Sequence, residues 1–528
     1  MIDRRTILGA AALSPLMYAA AFADTPRDTI VMAKRIDDII SLDPQETFEY
    51  SGTEISGNVY EKLVTPDDAR PTEIRPTLAE GWTTSPDGRL WTFKIAAGHM
   101  FSSGAEVTAE DAAFSLQRAV ILNKAPGFII AQLGFDRNNV VQRVRAMDAR
   151  TLEIAVEDPK APSFLLYCLS AAVGGVVEKK VALSHEVNGD LGNAWLKTNS
   201  AGSGPFMIRT ARASELVALD ANPHHPNAGG LKRVIIRHTA DPAVQLLLVQ
   251  KGDADVARDL LPEQLAIARG NPQLTVDPRP KASLMFISMN TADPALAKPK
   301  VREAIRWAID YAAIEESLLR DTYTVHQAFL PSGFPAALTD TPFRFDPARA
   351  KALLAEAGYP DGLDLTFDHA SSSPRAEIAQ ALQAQFRQVG IRLTLQAGEG
   401  RQVLTKVRAR QHQLAVLLWG SDYFDPHSNA QTFCEDTDDS DASKNRTTAW
   451  QAHFADAELT GQTQAAVREQ DGARRVELYQ RMQRELQDRG PFAILMQEVG
   501  TVVMRKPAAG LVQGPLSDRT VYAKMSKA

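Results

Sequence analysis

The stretch RPTLAEGWTTSPDGRLWTFKIAAGHMFSSGAEVTAEDAAFSLQR, residues 75–118, sets the reading of the chain. Two strand-like runs, one at Trp82 and one at Trp91-Thr92-Phe93, flank Ser85-Pro86-Asp87-Gly88. Pro presets one turn dihedral and Gly accepts a positive φ, so this spacing predicts a hairpin. VTAEDAAFSLQRAV then predicts a helix, with Thr108 placed to cap it and Asp111 three residues on. RTLEIAVED, residues 150–158, reads as a further strand.

Outward from this module the pattern changes to alternating strands and helices. IVMAKR (30–35) and LKRVIIRH (231–238) read as strands. DPAVQLLLVQKGDADVA (241–257) reads as a helix stopped by Gly252 and then a short strand. In the second half, LMFISMN (284–290) and LAVLLW (414–419) are buried strands, and VREAIRWAIDYAAIEESLL (301–319) is one amphipathic helix. LDLTF, RAEIAQALQAQFRQVG and IRLTLQ form a strand-helix-strand unit whose helix ends at Gly390. This alternation is the mark of α/β architecture.

The 528 residues allow two to four domains, and 44% hydrophobic with 23% charged residues is ordinary for a globular chain. A net charge of −6 argues against a nucleic-acid surface. The N-terminus, MIDRRTILGAAALSPLMYAAAFADTP, has paired arginines, an apolar stretch and Ala21-Phe22-Ala23. It reads as an export leader of residues 1–23, cut before Asp24. The arginines resemble a twin-arginine signal, an ordinary secretory leader being the other reading. No Cys stands at the cut, so a soluble periplasmic protein without a lipid anchor is expected. Cys168 and Cys434 are expected to be unpaired, buried thiols.

Motifs of catalysis are missing. There is no P-loop, HExxH, G-x-S-x-G or GxGxxG, no zinc spacing, and the acidic run at 434–450 lacks a calcium-loop pattern. A non-enzyme without cofactor or metal is expected.

The landmarks at 75–118 form a long pattern: Leu78-Ala79-Glu80, Trp82, Asp87-Gly88, Phe101, Gly104, Thr108 to Asp111 and Ser115. LDP, VYEKLV, GSGPF, KGDADV, PKVREAIRWAIDYAAI, FDPARAKALLAEAGYPDG and WGSDYFDP accompany it. In this order they resemble the family-5 solute-binding proteins of ABC importers, the dipeptide, oligopeptide and nickel receptors. The resemblance implies a two-lobed, type II-like periplasmic binding protein with a ligand cleft between lobes. Lobe I would take residues 27–57, 187–281 and 491–528, an inserted subdomain 58–186, and lobe II 282–490. It implies a monomer that captures a solute, short peptides first, and delivers it to an inner-membrane permease. A metal chelate, opine or sugar is the alternative, and an exported hydrolase a more distant one.

WGSDYFDP carries the site expectation. In peptide-binding members an acid shortly after this Trp pairs with the ligand α-ammonium, and Asp422 stands at that position, three residues after Trp419. A desolvated carboxylate facing an ammonium makes a charge-assisted bond. Tyr423 and Trp419 could offer ring faces to the cation. Asp425, before Pro426, reads as a structural turn acid. The ligand carboxylate is less well provided for: Arg375 lies at a helix start and His369 nearer the family position, a departure from the dipeptide pattern. Asn290, near the hinge, could line the cleft or make a structural bond.

Overall fold

The computed structural model describes residues 25–226 and 230–528; the leader at 1–23 lies outside them. One twisted sheet of eleven strands runs through both lobes. In chain order its strands are β1 (Thr29–Lys34), β2 (Phe206–Arg212), β3 (Leu216–Ala221), β4 (Arg233–His238), β5 (Val256–Ala257), β6 (Leu274–Met289), β7 (Tyr323–Val325), β8 (Leu363–Ala370), β9 (Ile391–Gly398), β10 (Leu414–Gly420) and β11 (Phe492–Arg505). They lie in the order β9-β8-β10-β6-β11-β5-β1-β4-β3-β2, with β7 beside β11. Alternate residues enter opposite cores, as a pleated strand requires. Ile30 and Met32 face one core of lobe I, Val31 and Ala33 the other. Met285 and Ile287 face one core of lobe II, Leu284 and Phe286 the other.

Two strands belong to both lobes. β6 has 16 residues and β11 has 14, well beyond the usual five or six or so. They pair antiparallel from Leu274 opposite Arg505 to Ser288 opposite Phe492, with a register shift between Pro280 and Leu284. The crossing at 281/282 coincides with that shift. Residues 492–497, which follow the expected boundary at 490/491, pair with the second half of β6. β11 is two apolar runs, FAILM and VVM, joined through Gln497-Glu498-Val499-Gly500-Thr501, and the strand continues through them. Sequence reading also missed the first half of β6, which holds Pro278 and Pro280. Here β6 is an edge, since β10 joins it only from Ser283 onward. A proline's missing N–H can face that open side.

The helix expected over 301–319 is two helices, Pro299–Trp307 and Tyr311–Leu318. Asp310 breaks it by capping the second, its carboxylate accepting from the Ala313 N–H.

The inserted module has its own four-stranded antiparallel sheet. Ala79–Thr84 and Leu90–Ile95 form the hairpin, Trp82 facing Phe93, and Gly88 takes φ +71°. Helix α2 (Ala109–Leu122) starts in a reciprocal box between Thr108 and Asp111. The module core runs from Leu63 to Val176 and takes in Tyr423 and Val467 of lobe II. Cys168 lies in this core and Cys434 in a lobe II core, both buried and unbonded. No helix among the described residues is long and apolar enough to cross a membrane.

Arg118 of α2 joins the module to lobe I. Its guanidinium is fully buried and grips Asp43 through two bonds of 2.7 and 2.6 Å, with Gln45 Oε1 at 2.7 Å and the Leu191 carbonyl at 2.9 Å. Removing one partner leaves a buried charge unpaired, at a cost of about 3–5 kcal/mol. Asp43→Ala is expected to lower the unfolding free energy by roughly that amount in guanidinium titrations.

Candidate functional site

A cavity of about 850 Å³ lies between the lobes at the crossing. The shift in β6 and the end of β10 build its floor. Ser283 pairs with Gly420, and Trp419, Ser421 and Asp422 continue along the wall. Helix α1 (Tyr50–Val59) forms the opposite wall with Tyr50 and Glu54. Tyr50 Oη crosses the gap over Gly420, where an added Cβ would stand 2.3 Å from it. Only glycine admits that approach, so Gly420 keeps the passage open for the phenol. Pro126, Ile129 and Val173 bring the module to the wall, and Leu404 and Arg408 of α3 (Gly400–Arg408) bring lobe II.

Asp422 is half-buried on this wall. Its N–H donates to Ser428 Oγ at 3.0 Å. Among the described residues no cation comes within ion-pair distance of its carboxylate, and burial pushes that carboxyl up to about 7. Asp425, three residues on, has the opposite surroundings. It is fully buried, caps α4 (Pro426–Cys434) through the His427 N–H, and holds Arg475 by bonds of 2.7 and 2.8 Å. One acid is satisfied within the fold and the other is left open to the cavity.

Residues 73–441 match the family described as bacterial extracellular solute-binding proteins, family 5 Middle. The chain belongs to this family. A relative, the probable D,D-dipeptide-binding periplasmic protein DdpA of Escherichia coli K12, is 25% identical over 508 residues, 95% of each chain. The solved periplasmic binding protein DppA of Helicobacter pylori, in complex with the peptide STSA, superposes with TM-score 0.78 at 22% identity, over 94% of this chain and 98% of that one. NikZ of Campylobacter jejuni, in complex with Ni(L-His), superposes with TM-score 0.77 at 21% identity, over 95% and 100%.

Within this solute-binding fold, the residues singled out by sequence separate into two sets. Asp422 and Trp419 meet on the cavity wall. Trp419 packs edge-on to Phe433 at 6.3 Å, and its buried Nε1 finds no acceptor in the protein. A buried indole N–H without a partner is costly, so a ligand oxygen suits it. Tyr423 does not reach the cavity. The chain bends beyond β10 and turns it away, 1% exposed, edge-on to Phe164 at 6.0 Å in the module core. Asn290 lies at the far end of β6, its amide bonded to the carbonyls of Arg410 and His412 at 3.0 and 2.9 Å. It is the structural bond of the two readings. His369 is buried at the end of β8, with Nδ1 3.0 Å from the Ala370 carbonyl, and does not line the cavity. Arg375 is half-buried beside Tyr323 and is also off the wall.

Sequence reading missed Glu54, Arg258, Lys281 and Glu498. Glu54 is buried and accepts from Lys34, from Arg258 Nη1 at 2.7 Å and from Tyr522 Oη at 2.7 Å. Though burial opposes it, the Arg258 and Lys34 charges hold the Glu54 carboxyl well below the usual range. Glu498 follows an apolar run, ILMQ, as Asp422 follows LAVLLW, and the same signal could have flagged it. The described residues hold no group of three His, Cys, Asp or Glu arranged for a metal.

The open carboxyl makes stability depend on pH. Burial raises Asp422 from 3.8 to about 7, so between those values the folded chain holds a proton that the unfolded chain has lost. Stability of the ligand-free protein therefore falls as pH rises through that window and levels off above it. Asp422→Asn is expected to stabilise the ligand-free protein at pH 8 by on the order of 2 kcal/mol, less than the full shift because the carboxyl still meets water. At about pH 4 the gain should vanish, as denaturant melts at the two pH values would show.

Proposed function

We propose that the protein is the periplasmic receptor of an ABC importer and that it captures short peptides, with Asp422 binding the α-ammonium. The observation that carries this reading is a carboxylate desolvated on the wall of an inter-lobe cavity with no cation of its own. An arriving ammonium supplies the missing charge, and the bond strengthens as the lobes close and exclude water. The unpartnered Trp419 Nε1 offers a donor for a ligand carbonyl. Arg408 lines the cavity from the end of α3 and is exposed, which suits the far carboxylate of an extended ligand better than Arg375 does. The cavity is roomy enough for water to fill the space around varied side chains, so peptide length and composition would be loosely read. Export as a leader-bearing monomer without cofactor or catalysis accompanies this role. DdpA is named for D,D-dipeptides, which supports peptides, whereas DppA with a peptide and NikZ with a nickel chelate superpose equally well and do not choose between them.

The protein, purified from its host and then denatured, is expected to release short peptides identifiable by mass spectrometry. Asp422→Ala should carry none and should weaken rebinding about 100-fold, the scale of losing one member of a desolvated pair. A single non-peptide solute, or peptide binding that survives the substitution, would overturn the ammonium assignment.

A further inference from the structure

Glu498 is a second acid on the cavity wall, and the fold places it there by a distortion of the sheet. Pro280 faces Val499 and Leu284 faces Gln497, so residues 281–283 of β6 face the single residue Glu498. The extra length turns Lys281 and Ser283 to the cavity with it. On its other side Glu498 pairs with Tyr323 of β7. Its neighbour Gln497 is used up in the hinge, donating to the Lys281 carbonyl at 2.9 Å.

Glu498 itself is not used up. Ser283 faces it across the shift in the ladder, and among the described residues no cation lies within ion-pair distance. Lys281 is the nearest positive group, but its ammonium donates to the Gly514 carbonyl at 2.9 Å. Its chain lies across Gly500, where an added Cβ would stand 2.5 Å from Lys281 Cε. Held there and half-buried, Lys281 is pushed down to about 8, while desolvation pushes the Glu498 carboxyl up. Each feels the other's charge, but no ion pair joins them. Tyr50 stands near both acids. Its phenol sits over Gly420, the partner of Ser283 in the ladder, and feels the charges of both Glu498 and Asp422. The two carboxylates line the same cavity as this one side chain.

We propose that the cavity holds two cation seats, Asp422 and Glu498, and that its preferred ligand carries a second positive group beside the amine, as a peptide with a basic side chain does. This rests on the peptide reading above for Asp422 and adds a charge requirement to it. A half-buried carboxylate that loses its remaining water as the lobes close is costly without a counter-charge, and a ligand cation between Glu498 and Ser283 removes that cost. A peptide with an acidic side chain at the same place would meet like charge and be rejected.

The test is calorimetric titration of the whole mature protein, stripped of ligand, with Ala-Ala, Ala-Lys, Lys-Ala, Ala-Glu and 1,4-diaminobutane. At least one lysine peptide is expected to bind about tenfold or more tighter than Ala-Ala, with Ala-Glu weakest. Glu498→Gln should shrink that preference to about threefold or less. The same variant without ligand should melt no lower than the wild type, since it removes a buried charge rather than a structural bond. Equal affinity for Ala-Ala and the lysine peptides, or a preference that persists in Glu498→Gln, would overturn the second seat and leave the peptide reading standing. Binding of the diamine alone would sustain the two seats and overturn the peptide reading. Failure of every probe to bind would overturn both.

Discussion

The β6–β11 ladder is the constraint on which the rest depends. Two antiparallel strands are shared by both lobes, so the lobes are halves of one sheet rather than beads on a linker. Backbone hydrogen bonds fix where each strand runs, and the register shift fixes where the sheet can bend. The cavity sits at that bend because a ladder with three residues facing one cannot stay flat there. Side chains that would otherwise alternate into the two cores are turned to the open space between the lobes. The polar groups Lys281, Ser283, Gln497 and Glu498 cluster at this point, whereas the rest of the lobe II half of both strands is apolar but for Ser288.

What could be read from the sequence was local. The hairpin and its Gly88, the Thr108–Asp111 box and the Gly390 stop depend on residues a few positions apart, and each formed as its chemistry directs. The shared strands were not legible because their evidence is long-range. Pro278 and Pro280 argue against a strand unless one edge is known to be free, and that edge exists only because β10 stops at Gly420. Asp310 reads as one polar residue on an amphipathic helix until its carboxylate is seen to cap a new one.

The site was legible to the same degree. Asp422 stood out because an acid after a buried run must find a partner, and among the described residues no cation lies within ion-pair distance of it. Asp425 met the same demand through Arg475, fifty residues away in sequence on the first turn of α5 (Gly472–Arg489), which no local pattern announces. Tyr423 leaves the cavity because the chain bends after β10 and carries its ring into the module core, a long-range contact that no local pattern announces. The approach of Tyr50 to Gly420 brings together segments 370 positions apart and had no signature at all.

Tyr423 has a consequence for motion. The module is held to lobe I by Arg118 and Asp43, and it is held to lobe II where Tyr423 and Val467 enter its core and Arg468 meets Asp158. Lobe I, the shared strands, lobe II and the module therefore close into a ring of contacts around the cavity. A ring opens only where a link gives way. The Arg118 link is sealed from water and the strands are continuous backbone, while the Arg468–Asp158 pair is half in solvent. The seam between module and lobe II is held inside by Tyr423 in the module core and by Arg475 on Ser163 at 3.0 Å, and only its outer rim, at Arg468, meets water. The short run that carries the open acid is therefore moored in the core of the neighbouring module one residue further on.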